Sequence, residues 1–78
     1  MVKKRVVWQA DQIRALRRHL HLTQQELAQE LGIRQQTVSE WETGVYQPRG
    51  SSTTLLTLIA ERVGFPYQVE TGEDDRRV

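Results

Sequence analysis

The residues with most chemical content in this chain are polar side chains without the partners catalysis needs. Gln35 and Gln36 stand side by side, with Thr37, Ser39 and Glu40 close behind. A glutamine amide carries a donor and an acceptor. It can pair in bidentate fashion with adenine or donate to the acceptors of guanine, and a good pair discriminates by about 1–3 kcal/mol. Ser39 and Glu40 would then meet bases or solvent, and Thr37 a thymine methyl or a phosphate. Arg34, just ahead of them, is placed for a phosphate or a base edge. The plainer alternative is that Gln35-Gln36 only begins a surface helix. Gly32 as a turn residue, with Val38 and Trp41 as inward anchors, favours base contact.

Other residues suit the nucleic-acid backbone. Thr23 and Gln24 open a helix, and helix N-termini favour anions such as phosphate. Arg49 and the cluster Lys3, Lys4 and Arg5 are free to grip phosphates, although a solvated basic terminus explains the cluster equally well. Enzyme chemistry finds little support. The chain has no cysteine, hence no disulfide, thiol nucleophile or cysteine zinc site. His19 and His21 lack companions at metal spacing. There is no glycine-rich phosphate loop, no GxSxG and no carboxylate pair with a partner base. A chain of this size is expected to leave no room for a catalytic pocket. The expectation is no enzyme, no metal and no cofactor.

The elements that must position these residues are helical. Ile13, Leu16 and Leu20 form a stripe at helical spacing and predict a first helix over about residues 10–20. Thr23 with Glu26 is a capping box that starts a second helix. Leu27, Ala28 and Leu31 are its buried face, and Gly32 stops it. A third helix runs from Arg34 or Gln35 to Trp41 or Glu42. Two short helices joined by a tight turn, the second polar at its start, form a helix-turn-helix, and such a helix fits the DNA major groove. A loop with Pro48 and Gly50 follows. The fourth helix is expected to start after a cap at Ser51 or Ser52, to carry Leu55, Leu56, Leu58, Ile59 and Val63, and to stop at Gly64 before Pro66. Trp8 and Trp41 read as structural. Arg5-Val6-Val7-Trp8 and Tyr67-Gln68-Val69 have strand-like composition and could pair as a terminal ribbon. From Thr71 onward the composition predicts a disordered tail.

Seventy-eight residues make one domain with a modest core. The expected division is a basic segment 1–9, a helical domain 10–66 and an extension 67–78. Residues 1–50 carry eight Lys/Arg against five acids, whereas residues 51–78 carry three against five. The basic half thus contains the candidate reading helix, as phosphate attraction requires. No apolar run of about 18 residues exists to span a membrane, and Val6 to Trp8 is too short for a secretory signal. The expected location is cytoplasmic.

From Ile13 to about Phe65 the chain closely resembles the Cro/repressor-type (Xre) helix-turn-helix family, which includes the lambdoid phage repressors. The matching residues are Leu22-Thr23-Gln24, Glu26-Leu27-Ala28, Leu31-Gly32-Ile33, Gln35-Gln36-Thr37-Val38-Ser39 and Trp41-Glu42-Thr43-Gly44. The resemblance implies an all-α, compact bundle of four or five helices. It implies that Gln24 anchors a phosphate and that Gln35, Gln36 and Glu40 read bases. It also implies an ion pair from Arg17 on the first helix to Glu42 after the recognition helix. Two departures stand out. Arg34 replaces the usual Ser/Thr/Asp cap of the third helix, and Glu40 is acidic on a DNA-facing helix, where it accepts from a cytosine amine or repels phosphate. Phe65 to Glu70 does not read as a fifth helix, so the dimer surface stays unassigned.

The leading expectation is a sequence-specific regulator, a repressor bound as a homodimer to double-stranded DNA with half-sites about one helical turn apart. Two alternatives share the fold. One is the antitoxin of a toxin–antitoxin pair, with the acidic tail and Tyr67–Val69 facing a toxin protein. The other is a protein-interaction module with no nucleic-acid role, against which Gln24, Gln35 and Gln36 speak.

Overall fold

The computed structural model describes the backbone of residues 4–71 and the side chains of residues 6–67. Six elements follow in order: β1 (Lys4–Val7), α1 (Ala10–His19), α2 (Gln24–Leu31), α3 (Gln35–Thr43), α4 (Ser51–Arg62) and β2 (Gln68–Thr71). The four helices form a compact bundle. The two strands pair antiparallel, with Lys4 opposite Thr71 and Val7 opposite Gln68. Trp8, expected within the first strand, lies just beyond it. Thr71 closes β2, and the tail expected beyond it, like Lys3 of the basic cluster, lies outside the described residues.

The apolar stripes meet in one core. Ile13 and Leu16 of α1, Leu27, Ala28 and Leu31 of α2, Val38 and Trp41 of α3, and Leu56 and Ala60 of α4 are buried together with Trp8. Leu20 and Ile59 lie partly buried against them. Of the apolar residues expected to be carried by α4, Leu55, Leu58 and Val63 are exposed. For Leu55 and Leu58 the helical period explains this, whereas Val63 continues the buried line but lies past the last helical residue, Arg62. Leu56 and Ala60, four apart, set the buried line of α4, and positions 55 and 58 fall beside it.

Trp8 ties the chain ends to the bundle. Its indole N–H donates to the Thr57 hydroxyl at 3.2 Å, so the ring is buried without losing its polar bond. Its ring stacks with both Phe65 and Tyr67, with centroids 6.4 and 6.1 Å away. The N-terminal segment is thereby held against α4 and the chain leading into β2.

The start of α4 departs from the sequence reading. Its N-cap is Gly50, with φ 55° and ψ −125°, and no side chain caps it. Ser51 is already helical. This backbone conformation is close to glycine-only, so the sharp entry into α4 depends on that residue.

Candidate nucleic-acid interface

The unit that presents the polar row is α2, a tight turn and α3. Thr23 caps α2: its hydroxyl accepts from the Glu26 N–H at 3.1 Å, and the Glu26 carboxylate accepts from the Thr23 N–H at 2.8 Å. Gly32 ends the helix with φ 71°. The Ile33 N–H then bonds back to the Ala28 carbonyl at 2.9 Å, the hydrogen bond that closes a left-handed helix stop. Helix α2 is therefore set by local chemistry at both ends. Val38 and Trp41, three residues apart, anchor α3 in the core.

Anchoring that face turns the opposite one outward. Arg34, Gln35 and Gln36 are exposed, and Thr37, Ser39 and Glu40 are half-buried. Gln36 and Glu40 lie one turn apart, and the Gln36 amide nitrogen donates to the Glu40 carboxylate at 3.4 Å. Arg34 occupies the N-cap of α3 with no side-chain cap bond, so its guanidinium is not spent on the helix start. Arg49 is exposed in the loop before α4 and has no acidic partner within ion-pair distance among the described residues.

Behind the row lies a polar network centred on a buried carboxylate. Glu42 is only 3% exposed. Its carboxylate accepts from Arg17 Nε at 2.7 Å and from a second guanidinium nitrogen of Arg17 at 3.0 Å. This two-pronged geometry is the strong form of the charged hydrogen bond. Arg17 also donates to the Leu22 carbonyl at 3.1 Å, in the turn between α1 and α2. Gln24 donates its amide to the same carboxylate at 3.1 Å. Arg14 donates to the Glu42 backbone carbonyl. One carboxylate thus joins α1, α2 and α3.

Burial pushes the Glu42 carboxyl up, since it disfavours the charge. The hydrogen bonds from Arg17 and Gln24 and the charges of Arg17 and Arg14 outweigh it, so the group sits below its ordinary value. The same bond to Glu42 raises Arg17 against the opposing effect of burial.

The geometry therefore sorts these sequence candidates into three groups. Gln35, Gln36, Ser39 and Glu40 lie together on the outer part of α3, with Arg34 and Thr37 beside them. Thr23 and Gln24 lie at the start of α2, and Arg17 and Glu42 lie beneath. Gln24 has a double placement, because one of its amide hydrogens is given to Glu42 and an amide nitrogen has two. Arg14 is the residue that sequence reasoning missed. The signal was available: Arg14 and Arg17 are three apart, on one face of α1.

A groove of about 730 Å³ runs between Val6–Gln9 on one side and Gln47–Gly50 with the first turns of α4 on the other. The sequence reading expected no pocket. It did not foresee that the short ribbon would stand beside α4 and leave a furrow. The only charged side chain on the described lining is Arg49, and the hydroxyls there are those of threonines without a base beside them. Among the described residues no group of His, Asp or Glu could hold a metal ion. No helix there is long and apolar enough to cross a membrane.

Comparison with known proteins agrees with this geometry. A helix-turn-helix family profile matches residues 13–68, well over half of the chain. No curated protein sequence matches it. With capped α2, a glycine turn and an outward polar α3 all inside the matched span, the chain belongs to the Cro/C1-type helix-turn-helix family of DNA-binding domains.

Proposed function

We propose that this protein is a sequence-specific transcriptional repressor that lays α3 in the major groove of double-stranded DNA. The observation that carries this reading is the exposed row on α3, held by a buried anchor on its opposite face. Gln35, Gln36, Ser39 and Glu40 face base edges. Thr23, Gln24, Arg34, Thr37 and Arg49 meet phosphates, which position the helix but carry no sequence information. Gln24 serves both sides: one amide hydrogen holds Glu42 and the other points to the backbone. Residues 10–66 form the DNA-binding unit. Segment 1–9 and extension 67–78 supply the ribbon and, from Lys3, Lys4 and Arg5, positive charge.

The protein acts in the cytoplasm as a homodimer on a pseudo-palindromic site. One copy offers few base contacts, and two copies bind half-sites one helical turn apart. Leu55 and Leu58, 39% and 50% exposed on α4, support pairing through that helix. The test is selection of bound duplexes from a randomised pool, with the mass of the protein–DNA complex measured alongside. Enrichment of a two-fold-symmetric sequence bound by two copies is expected. Binding that follows salt alone, with no sequence enriched, would refute specific recognition.

A further inference from the structure

The bond between Gln36 and Glu40 has a consequence for which base is read. A carboxylate only accepts hydrogen bonds, so the end of the Gln36 amide that meets it must be the nitrogen. The contact at 3.4 Å spans one turn of α3 on its exposed face. It favours one direction of an amide that could otherwise rotate freely. One Nε2 hydrogen is committed to Glu40. The other hydrogen and the carbonyl oxygen remain for DNA.

That remaining pair matches adenine. Its N7 accepts and its exocyclic N6 donates, the complement of one donor and one acceptor. Guanine offers two acceptors, O6 and N7, and no donor on that edge. A glutamine reading both would need both amide hydrogens, and here one is already taken. The amide oxygen would also face a guanine acceptor. Glu40 brings a second constraint of the same sign. Its carboxylate finds a partner only in an exocyclic amine, that of adenine or cytosine, and is repelled by the acceptors of guanine and thymine.

We propose that Glu40 is a specificity-determining residue that pins the Gln36 amide, so that Gln36 selects adenine over guanine on the strand it faces. Glu40 itself takes an adenine or cytosine amine at a neighbouring position. This rests on the base-reading function proposed above and adds the class of base and the residue that sets it.

The test compares base preference in duplexes selected by the unaltered protein, Gln36→Ala, Glu40→Ala and Glu40→Asp. The position read by Gln36 is the one whose preference disappears in Gln36→Ala. At that position the unaltered protein should prefer adenine over guanine by about tenfold, within the range of one good bidentate contact. Glu40→Ala should bring that ratio to within about twofold, because the freed amide can now turn to donate with both hydrogens. Glu40→Asp keeps the charge but shortens the reach, and should behave like Glu40→Ala. Retention of the adenine preference in Glu40→Asp but not in Glu40→Ala would overturn pinning in favour of simple charge repulsion. Retention in both variants would overturn any role for Glu40 at that base. A sequence preference unchanged in Gln36→Ala would instead refute base reading by Gln36, a different failure. Thermal melting of each variant checks that α3 stays folded.

Discussion

The outer row of α3 and the network beneath it are built from the same kinds of residue, yet they are opposite in physical character. Glu42 is buried and receives three side-chain hydrogen bonds from Arg17 and Gln24. Glu40, two residues earlier, is half-buried and accepts one longer bond from Gln36. A buried carboxylate must be matched by internal donors, because water is not there to serve it. A carboxylate at the surface keeps water as an alternative, so it needs no full set of internal donors and retains acceptor capacity for a ligand beside its bond to Gln36. One glutamate therefore locks three helices together, and the other is left open to recognition. Residue type does not separate the two roles; the face of α3 does.

This contrast can be tested by deleting each side in turn. The largest effect is expected for Glu42→Ala, which strands Arg17 without its partner. Loss of one partner of a buried pair costs about 3–5 kcal/mol, and the 18% exposure of the Arg17 side chain places this case near the lower end. For a domain of this size each kcal/mol is worth about 4–8 °C in Tm, so calorimetry should show a fall of at least about 10 °C. A Tm within a few degrees of the unaltered protein would remove the network's structural role.

Acidification should reach the same interaction more gently. Glu42 sits below its ordinary value when folded. Its contribution is therefore fully present above the ordinary glutamate range and is lost as pH falls through the lowered folded value. Denaturant titrations should show the unaltered protein losing stability over that acid window more steeply than Glu42→Gln, which has no carboxyl there to titrate. Parallel acid profiles would contradict the sign of the shift.

On the outer side, Gln36→Ala should cost about 1–3 kcal/mol of discrimination at one base position. Its melting temperature should barely move, because surface changes usually stay within about 0.5 kcal/mol. Unfolding of this variant would place Gln36 with the scaffold rather than with the reading face. The smallest sequence-dependent change is expected for Arg49→Ala. Binding should weaken on all duplexes alike, and the slope of log affinity against log salt should fall by about one per copy. A loss confined to one sequence would make Arg49 a base reader instead.

Much of the scaffold was legible because local chemistry dictated it. The pair Thr23 and Glu26 marked the start of α2, and Gly32 its end, through bonds made within a few residues. The strand-like composition of the two terminal segments pointed to strands that pair as a ribbon. The resemblance to repressors pointed to Arg17 and Glu42, which lie 25 residues apart and meet at 2.7 Å. Legibility failed where the deciding atoms came from elsewhere in the fold. Ser51 and Ser52 have side chains suited to capping, but Gly50 is the cap and Ser51 already lies in the helix. Leu55 and Leu58 look like core residues and are exposed, because Leu56 and Ala60 take the buried line.

By itself, then, the order of residues determined where α2 begins and ends, the apolar stripes of α1, α2 and α3, and that α3 is polar on its other face. Those properties arise from hydrogen bonds and periodicity over one or two turns, so a short window holds the information. Only the tertiary structure decided that Gln24 and Arg14 join Arg17 at Glu42, and that Trp8 packs on Phe65, Tyr67 and Thr57. Such contacts depend on how distant helices are set against one another. That setting is chosen by the packing of the whole core, and no local stretch of the chain contains it.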